Sequence, residues 1–322
     1  MQNGRIDGQQ VGQDLERAEQ ALRAGQLVAL PTETVYGLGA NAWNEAALRA
    51  VFAAKKRPFN DPLILHTSDA SRLGELATSV PDLALRLADA FWPGPLTLLL
   101  PRAPRVPDLV TAGLPTVAVR VPDHPLTLAL LARLDFPVAA PSANPFGYIS
   151  PTTAAHVIDQ LGESVAYVLD GGPCRLGLES TIVGFEAGVP TVYRLGSLNI
   201  DQLVRVVGRV AQRQAPGAAP SVPGALPSHY APRTPLKIGP MPEPPAPSWG
   251  WLSLKTPHPA LPVAQQIQLS VVGDLNEAAH NLYAGLRYLD GLGLSCIYAE
   301  PLPESGLGLA LNDRLRRAAA AH

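Results

Sequence analysis

The chain has little cysteine and no marked excess of charge of either sign. Its 322 residues include two cysteines, Cys174 and Cys296, whose separation fits no metal-binding or redox motif. We therefore expect no disulfide framework and a reducing compartment, the cytoplasm. Lysine plus arginine total 25 against 27 for aspartate plus glutamate, which gives a net charge of −2. This balance argues against a broad electrostatic surface for nucleic acid, while a local basic patch stays compatible with it.

Long apolar runs are also lacking. No stretch approaches the roughly 18 apolar residues that a membrane helix needs. Residues 1–14 contain no apolar segment of the kind found in signal peptides. We therefore expect no signal peptide and no membrane span. Hydrophobic residues nevertheless make up 47% of the chain, enough for a sizeable core, and the length allows two domains.

Helical and strand patterns are interleaved up to about residue 195. Periodicity predicts helices over 14–24, 45–56, 80–90, 125–134 and 151–161, with Gly25 ending the first, Ser150 capping the last and Pro151 beginning it. Apolar runs predict strands over 27–31, 62–66, 96–100, 116–121, 137–140, 165–169, 180–185 and 191–194. Because some of these strands are adjacent in sequence and others are separated by helices, the pattern indicates an α/β (α+β) fold with a mixed sheet.

A proline-rich segment follows. Eleven of the 32 residues from Pro216 to Pro247 are proline. Proline at this density favours extended backbone and predicts a semi-rigid linker. Beyond it, apolar runs at 249–254, 267–273 and 294–300 predict strands, and helical patterns cover 276–290 and 306–320. These elements predict a second, smaller α/β domain.

The segment PTETVYGLG, residues 31–39, follows the first predicted strand and precedes helix 45–56. It carries two threonines, a glutamate and a tyrosine as well as two glycines. A plain turn needs only the glycines. The hydroxyl groups therefore suggest a ligand at this strand end.

Four basic or ionisable side chains stand at element ends or inside an apolar strand. Lys55 and Arg57 close a predicted helix, where they would either compensate the helix dipole or meet a phosphate-bearing ligand. His66 ends an apolar strand, a position more often occupied by a structural histidine than by a ligand contact. Arg120 lies within an apolar strand and needs an anionic partner, which is either a protein carboxylate or a substrate carboxylate.

Two loops offer small polar groups. Residues 140–151, APSANPFGYISP, and residues 170–185, DGGPCRLGLESTIVGF, combine serine, asparagine and glycine. Such loops suit phosphate oxygens, and ordinary serine or asparagine turns have the same composition. The sequence contains no Walker A loop, no G-x-G-x-x-G, no H-E-x-x-H and no nucleophile elbow.

Taken in order, these segments resemble a known family. PTETVYGLG, KKRPFNDPLILH, WPGPLTLLL, VAVRVPDHP, APSANPFGYISPT and ESTIVGF look like the successive motifs of YrdC-type domains. HYAP at 229–232 and the stretch 281–319 resemble the extra domain of the long form, the two-domain threonylcarbamoyl-AMP synthases. The resemblance implies a YrdC-like catalytic domain over 13–210 with a twisted mixed sheet and flanking helices. It further implies a linker and lid over 211–235 and a Rossmann-like domain over 236–322.

The resemblance also implies an activity. The family is a group of nucleotidyltransferases that condense L-threonine, bicarbonate or CO₂, and ATP into threonylcarbamoyl-AMP and pyrophosphate. ATP is then a substrate, and Mg²⁺ is held mainly through its phosphates. The product would pass to the machinery that transfers the threonylcarbamoyl group to tRNA. Direct tRNA binding by this chain is left open.

The family's site residues carry over onto matching positions. The threonine contacts would be Thr34, His66, Arg120, Ala140 and Ser180. The polar tetrad that holds the phosphates and the carbonate-derived group would be Lys55, Arg57, Ser142 and Asn144. The ATP contacts would be Arg57, Asp61, Thr116, Ser142, Ser150, Arg194 and Tyr230, with no metal-ligating side chain. The chain departs from the family in having aspartate at 61, RLGS at 194–197 and no lysine or first tyrosine in the linker motif.

Two rival interpretations use the same residues. YrdC-type domains have a concave positive face that suits RNA, although the near-neutral charge of this chain weakens that interpretation. Hydrogenase maturation proteins contain a similar carbamoyl-transfer domain. The acylphosphatase and zinc-finger segments that accompany it there are lacking here. Pyrophosphate release that depends on both threonine and bicarbonate would separate all three.

Overall fold

The computed structural model describes residues 10–213, 222–224 and 226–320. Part of the predicted linker, residues 214–221 and 225, and the last two residues of the predicted second domain lie outside these ranges. Among the described helices, none is both long and apolar enough to cross a membrane.

The first part of the described chain forms an eleven-stranded mixed sheet. Its strands are β1 (Val11–Gly12), β2 (Val28–Leu30), β3 (Gly37–Asn41), β4 (Ile64–His66), β5 (Leu96–Pro101), β6 (Thr116–Arg120), β7 (Val138–Ala139), β8 (Tyr167–Leu169), β9 (Thr181–Glu186), β10 (Val189–Arg194) and β11 (Ala211–Gln212). Their spatial order is β1-β8-β2-β3-β7-β4-β6-β5-β9-β10-β11. Strand β4 is parallel to β6 and antiparallel to β7. The predicted mixed sheet is confirmed.

Helices cover both faces of this sheet. They are α1 (Leu15–Arg23), α2 (Glu45–Lys55), α3 (Leu73–Leu76), α4 (Asp82–Phe91), α5 (Asp108–Thr111), α6 (Pro125–Leu131), α7 (Ala154–Leu161) and α8 (Ile200–Val207). Successive residues of a strand point to opposite faces. Accordingly, Val28 joins a buried cluster with Leu22 of α1, whereas Ala29 joins another with Phe52 of α2.

The second part of the chain forms a four-stranded sheet in which every pair is parallel. Its strands are β12 (Leu236–Ile238), β13 (Trp249–Ser253), β14 (Gln266–Gln268) and β15 (Cys296–Ala299), in the spatial order β12-β15-β13-β14. Two helices accompany it, α9 (Leu275–Asp290) and α10 (Leu307–Ala319). Short 3-10 helices occur at Ala70–Arg72, Gly162–Ser164 and Val263–Gln265. A small second α/β unit is therefore present, as predicted.

Four strands, β1, β3, β11 and β12, are missing from the sequence-based prediction, and the two longer ones, β3 and β12, show why. The stretch GLGAN of β3 contains two glycines, which weaken strand propensity, and it becomes a strand by antiparallel pairing with β2 and β7. Strand β12 lies inside the proline-rich segment and pairs in parallel with β15. The interpretation of 216–247 as linker throughout is thus wrong for Leu236–Ile238. In both cases partner strands supply what the local sequence does not.

The predicted start of the helix over 151–161 is also wrong. Helix α7 begins at Ala154, and the Thr153 hydroxyl accepts a hydrogen bond from the His156 amide as its N-cap. Ser150 does not cap this helix. Its hydroxyl instead donates to Glu179 Oε1 at 2.6 Å. The Ser150 hydroxyl therefore bonds a carboxylate from a distant part of the chain instead of capping the helix that follows it.

Candidate active site

A cavity lies where several strands of the larger sheet end. Strands β4 and β6 run in parallel, and their last residues, His66 and Arg120, are register partners. Strand β7 is antiparallel to β4, so Ala140, just past its end, lies beside Ile64, and both residues line the cavity. Ser180 immediately precedes β9, and Arg194 ends the adjacent β10. The sheet order therefore gathers side chains that are far apart in sequence.

The cavity, including its open mouth, measures about 660 Å³. Nine of the predicted site residues line it: Thr34, Arg57, His66, Arg120, Ala140, Ser142, Ser180, Arg194 and Tyr230. Five others do not: Lys55, Asp61, Thr116, Asn144 and Ser150.

The polar groups of PTETVYGLG have different roles. The Thr32 hydroxyl accepts hydrogen bonds from the amides of Thr34 and Val35 at 3.1 and 3.2 Å, which fixes the turn. Thr34 lines the cavity. The Tyr36 hydroxyl donates to the Gly172 carbonyl at 2.8 Å and so ties down the second glycine-rich loop. The Thr34 hydroxyl also shares a hydrogen bond with the Thr32 hydroxyl at 2.8 Å, so the turn orients it in the cavity wall.

Arg120 is paired with a protein carboxylate. Its Nη2 lies 2.6 Å from Glu33 Oε1, and the two side chains are 5% and 1% exposed. Glu33 Oε2 also accepts from the Asp123 amide at 3.0 Å. Of the two partners left open by the sequence, the protein carboxylate is thus the one present here. Glu33 was not a predicted site residue, although its place in the same motif and the need to pair a buried guanidinium were signals for it.

His66 presents an unpaired polar atom. Its Nδ1 is buried and has no hydrogen-bond partner among the described residues. Burial, reinforced by the nearby Arg120 charge, lowers the pKa of His66 to about 3. The imidazole is therefore neutral near pH 7 and is suited to a neutral hydrogen bond with a ligand rather than to an ion pair.

This pKa predicts a pH dependence of stability. The folded state binds the His66 proton more weakly than the unfolded state, whose histidine pKa is about 6.5. Above a pH of about 6.5, His66 therefore has no effect on stability. As the pH falls from there towards the folded-state pKa of about 3, the free energy of unfolding decreases by about 1.4 kcal/mol per pH unit. We expect His66→Asn to give a shallower dependence in denaturant unfolding between about pH 4 and 8. Equal slopes in the two proteins would contradict this assignment.

Two arginines bring positive charge to the cavity. Arg57 pairs with Asp61 at 3.0 Å and donates to the Pro62 carbonyl at 2.6 Å. Arg194 donates to the Ser180 carbonyl at 2.8 Å and to the Ser180 hydroxyl at 3.0 Å. Burial lowers the pKa of both guanidinium groups. A bound anion would offset this cost, so the cavity favours a negatively charged ligand.

Lys55 holds a loop in this structure. Its Nζ donates to the Ser142 carbonyl at 2.6 Å and to the Asn144 carbonyl. The Asn144 side chain in turn donates to the Tyr148 carbonyl at 2.7 Å. Burial, followed by repulsion from Arg57, lowers the pKa of Lys55 well below its usual value. Lys55 and Asn144 therefore hold the loop from 142 to 148 in place. Ser142, the first residue of that loop, lines the cavity.

The remaining predicted ATP contacts lie outside the cavity. Asp61 is fully buried against Arg57, and burial raises the pKa of its carboxyl group. Ser150 faces Glu179. Thr116 begins the strand that Arg120 ends, about 13 Å away at the usual rise of a strand.

The proline-rich segment covers one side of the cavity. Pro223, Gly224, His229 and Tyr230 are among its lining residues. Tyr230 has a positive φ of 64°, which is uncommon for a residue with a side chain. A Cβ at Gly224 would lie 2.5 Å from the Tyr230 hydroxyl, so this close approach requires glycine. These residues, together with Leu226, form what we call the cover segment.

Sequence reasoning missed His229. Its ring lies 4.0 Å from that of Tyr230 between centroids. Burial lowers its pKa well below the usual value, with further contributions from Arg57 and Lys55. The HYAP motif that drew attention to Tyr230 contains this histidine as well. A neutral His229 ring beside the cationic groups of Arg57 and Lys55 is again an arrangement that favours an anionic ligand.

Comparison with known proteins identifies the family. A family described as telomere recombination, which groups Sua5, YciO and YrdC, matches residues 20–196, and a threonylcarbamoyl-AMP synthase C-terminal domain matches residues 198–320. Threonylcarbamoyl-AMP synthase of Pyrococcus abyssi is 39% identical over 311 residues, covering 92% of this chain and 91% of the relative. The chain belongs to the threonylcarbamoyl-AMP synthase family.

Other relatives of the same family agree in length and structure. The Bacillus subtilis threonylcarbamoyl-AMP synthase is 38% identical over 320 residues, covering 95% of this chain and 92% of the relative. The crystal structure of P. abyssi Sua5 complexed with L-threonine matches with a TM-score of 0.88 and 36% identity, over 96% of each chain. The match spans both sheets, so this chain has the two-domain form of the synthase family.

Proposed function

We propose that this protein is a nucleotidyltransferase that condenses L-threonine, bicarbonate or CO₂, and ATP into threonylcarbamoyl-AMP and pyrophosphate. The observation that carries the proposal is the joining, in one cavity, of a buried arginine suited to an amino-acid carboxylate and two further arginines suited to phosphates. A relative was crystallised with L-threonine, which supports the first ligand. We further propose a catalytic domain over 13–210, a linker and lid over 211–235 and a second domain over 236–322.

Threonine is proposed to bind at the Arg120 corner. Its carboxylate would pair with the Arg120 guanidinium and share or displace Glu33. The Thr34 and Ser180 hydroxyls and the neutral His66 ring border the same space and offer hydrogen bonds to the remaining polar groups. The Ala140 backbone is proposed to accept from the threonine amine. In this placement the amine is directed toward the part of the cavity lined by Arg57 and Arg194.

ATP is proposed to bind beside Arg57 and Arg194, with Ser142 as a neutral donor and Tyr230 against the nucleotide. Lys55 and Asn144 would contribute by holding the loop that carries Ser142. Contacts of ATP with Asp61, Thr116 or Ser150 remain predictions, because these side chains reach the nucleotide only if it extends beyond the cavity described here.

The chemistry requires no nucleophilic side chain. The threonine amine attacks CO₂ and loses a proton, or attacks bicarbonate with loss of water, to give a carbamate. A carbamate oxygen then attacks the α-phosphorus of ATP and displaces pyrophosphate. Both steps bring anionic groups together, so orientation and charge neutralisation are the main tasks of the site. Orientation alone supplies roughly 7–11 kcal/mol in favourable cases.

Mg²⁺ is proposed to arrive with the ATP phosphates. Among residues 10–213, 222–224 and 226–320, no group of three or more histidine, cysteine or acidic side chains is arranged to hold a metal ion. The side chains near the proposed phosphate position are mainly cationic or hydroxylic. Phosphate oxygens and water would therefore supply most of its ligands.

The decisive experiment measures pyrophosphate release from ATP. We expect release only when threonine and bicarbonate are both present, with threonylcarbamoyl-AMP as the second product. Release that is independent of threonine would overturn the proposal. A salt-dependent RNA titration tests the alternative of a binding module. Passage of the product to a tRNA-modifying machinery, in the cytoplasm, completes the proposal.

We also propose that the cover segment acts as a lid. The amide of Ala231, the residue after Tyr230, donates to the Gly147 carbonyl at 2.8 Å, which ties the end of the cover segment to the loop that follows Ser142. Closure would shield the labile carbamoyl-adenylate from water.

Tyr230→Ala tests this lid. We expect the KM for ATP to rise by about tenfold or more and the adenylate to be hydrolysed faster on the enzyme. Parallel assays of pyrophosphate and intact adenylate measure both effects. Tyr298→Phe, which alters a tyrosine of the second sheet, serves as a control. An unchanged KM together with unchanged adenylate yield would exclude the lid.

A further inference from the structure

A buried ion pair joins the two domains at the wall of the cavity, which its member Glu179 lines. Arg314 of α10 donates from Nε to Glu179 Oε2 at 2.9 Å, and the side chains are 1% and 8% exposed. Tyr283 of α9 donates to the same carboxylate oxygen at 2.8 Å. Breaking such a pair leaves an uncompensated buried charge. The geometry is thus tightly constrained on both sides of the domain boundary.

Arg314 contacts three chain segments that carry candidate site residues. Glu179 is the neighbour of Ser180 in sequence. The Arg314 Nη2 donates to the carbonyl of Leu195, which follows Arg194, at 2.8 Å. Its guanidinium carbon lies 4.8 Å from the centroid of the Tyr230 ring. Arg314 therefore contacts the residue before Ser180, the residue after Arg194, and the ring of Tyr230 in the cover segment.

Glu179 extends this network to a fourth segment. Its Oε1 accepts from the Ser150 hydroxyl at 2.6 Å. Burial opposes ionisation of this carboxyl group, but the charges of Arg314 and Arg194 outweigh it and hold its pKa below the usual value. The carboxylate is therefore charged, and its strong hydrogen bonds orient each partner.

The surroundings are apolar and span both domains. Leu178 and Tyr230 belong to the same buried cluster as Leu282, Tyr283 and Leu315. Such packing excludes water from the ion pair and limits the movement of its side chains. A displacement of α10 would consequently be transmitted to the residues that Arg314 contacts.

We propose that Glu179 and Arg314 are positioning residues through which the second domain places Ser180, Arg194 and Tyr230 in the active site. The inference rests on the proposed function and goes beyond it, because it gives the second domain a part in setting the reaction geometry. The domain would then be an integral wall of the site.

Arg314→Lys keeps the charge but removes the forked donor that reaches all three segments. We expect the KM for ATP to rise by about tenfold and kcat to fall, with the thermal unfolding midpoint measured alongside. Arg316→Gln is the matched control, because Arg316 lies on the same helix and its pair with Glu304 is exposed. We expect wild-type kinetics for this control.

A double-mutant cycle separates positioning from general destabilisation. If Arg314 acts through Tyr230, adding Arg314→Lys to Tyr230→Ala should cost less than about half of what it costs alone in log(kcat/KM). Fully additive losses, or an Arg314→Lys enzyme with wild-type KM and kcat, would overturn the inference.

A second variant keeps the test informative if Arg314→Lys does not fold. Tyr283→Phe removes one donor to Glu179 without removing a charge, and it should raise the KM for ATP by about threefold or more. Wild-type kinetics for this variant would count against the inference. Wild-type enzyme in the same assay shows separately whether the proposed synthase activity itself is present.

Discussion

Arg120→Gln is expected to weaken threonine binding by about 100-fold or more, because removing one member of a buried charge pair costs about 2–5 kcal/mol. The substituted side chain can no longer pair with the substrate carboxylate, and it leaves Glu33 buried without its cation. Calorimetric titration with threonine measures the loss. Arg49→Gln, at an exposed pair on α2, is the surface control and should bind threonine normally.

The double variant Glu33→Gln/Arg120→Gln distinguishes lost recognition from lost stability. Two neutral amides remove the unpaired buried charge, so much of the folding stability should return. Threonine binding should stay weak, since the cation is still absent. Recovery of binding in the double variant would show that Arg120 serves the fold rather than the substrate.

Arg57→Gln is the second change with a large expected effect. We expect the KM for ATP to rise by about 100-fold, because the variant loses a cation beside the proposed phosphate position. Steady-state pyrophosphate release at saturating threonine measures this. The free energy of unfolding should also fall by about 3–5 kcal/mol, since Asp61 is left buried without a partner.

Asp61→Asn provides the contrasting variant. It has nearly the same shape and leaves the Arg57 charge in place, so the KM for ATP should stay within about threefold of wild type. In Arg57→Gln/Asp61→Asn, stability should recover while the KM stays high. If Asp61→Asn raises the KM as much as Arg57→Gln does, the two side chains act as a unit and Arg57 is not an independent phosphate contact.

Elements with strong local signals could be predicted from the sequence. The helices α2 and α9 follow apolar periodicity, and β5 and β6 are long apolar runs, so their residues specify their conformation locally. Strand β3 could not be found in this way, because its glycine-rich residues become a strand through pairing with β2 and β7. The N-cap at Thr153 was missed for a related reason, since the competing Ser150 hydroxyl donates instead to Glu179, 29 residues further along the chain.

The residues of the candidate site also differ in how far the sequence predicts their roles. Arg120 was predictable as a paired charge, because a guanidinium in an apolar strand requires an anion. Its partner Glu33 was not predicted, although the two side chains are brought to 2.6 Å by the fold. Lys55 illustrates the opposite case. Its charge suggested a phosphate contact, whereas the structure directs its Nζ to two loop carbonyls.

The sequence by itself determined the family, the two α/β units and most of the chemical groups available, because these depend on ordered motifs and local periodicity. Tertiary structure decided which of those groups share a cavity and which of them support it. Strand order, register and the approach of α10 bring together residues as far apart in sequence as Thr34 and Arg314. Such distances depend on packing between segments remote in sequence, which no local pattern encodes.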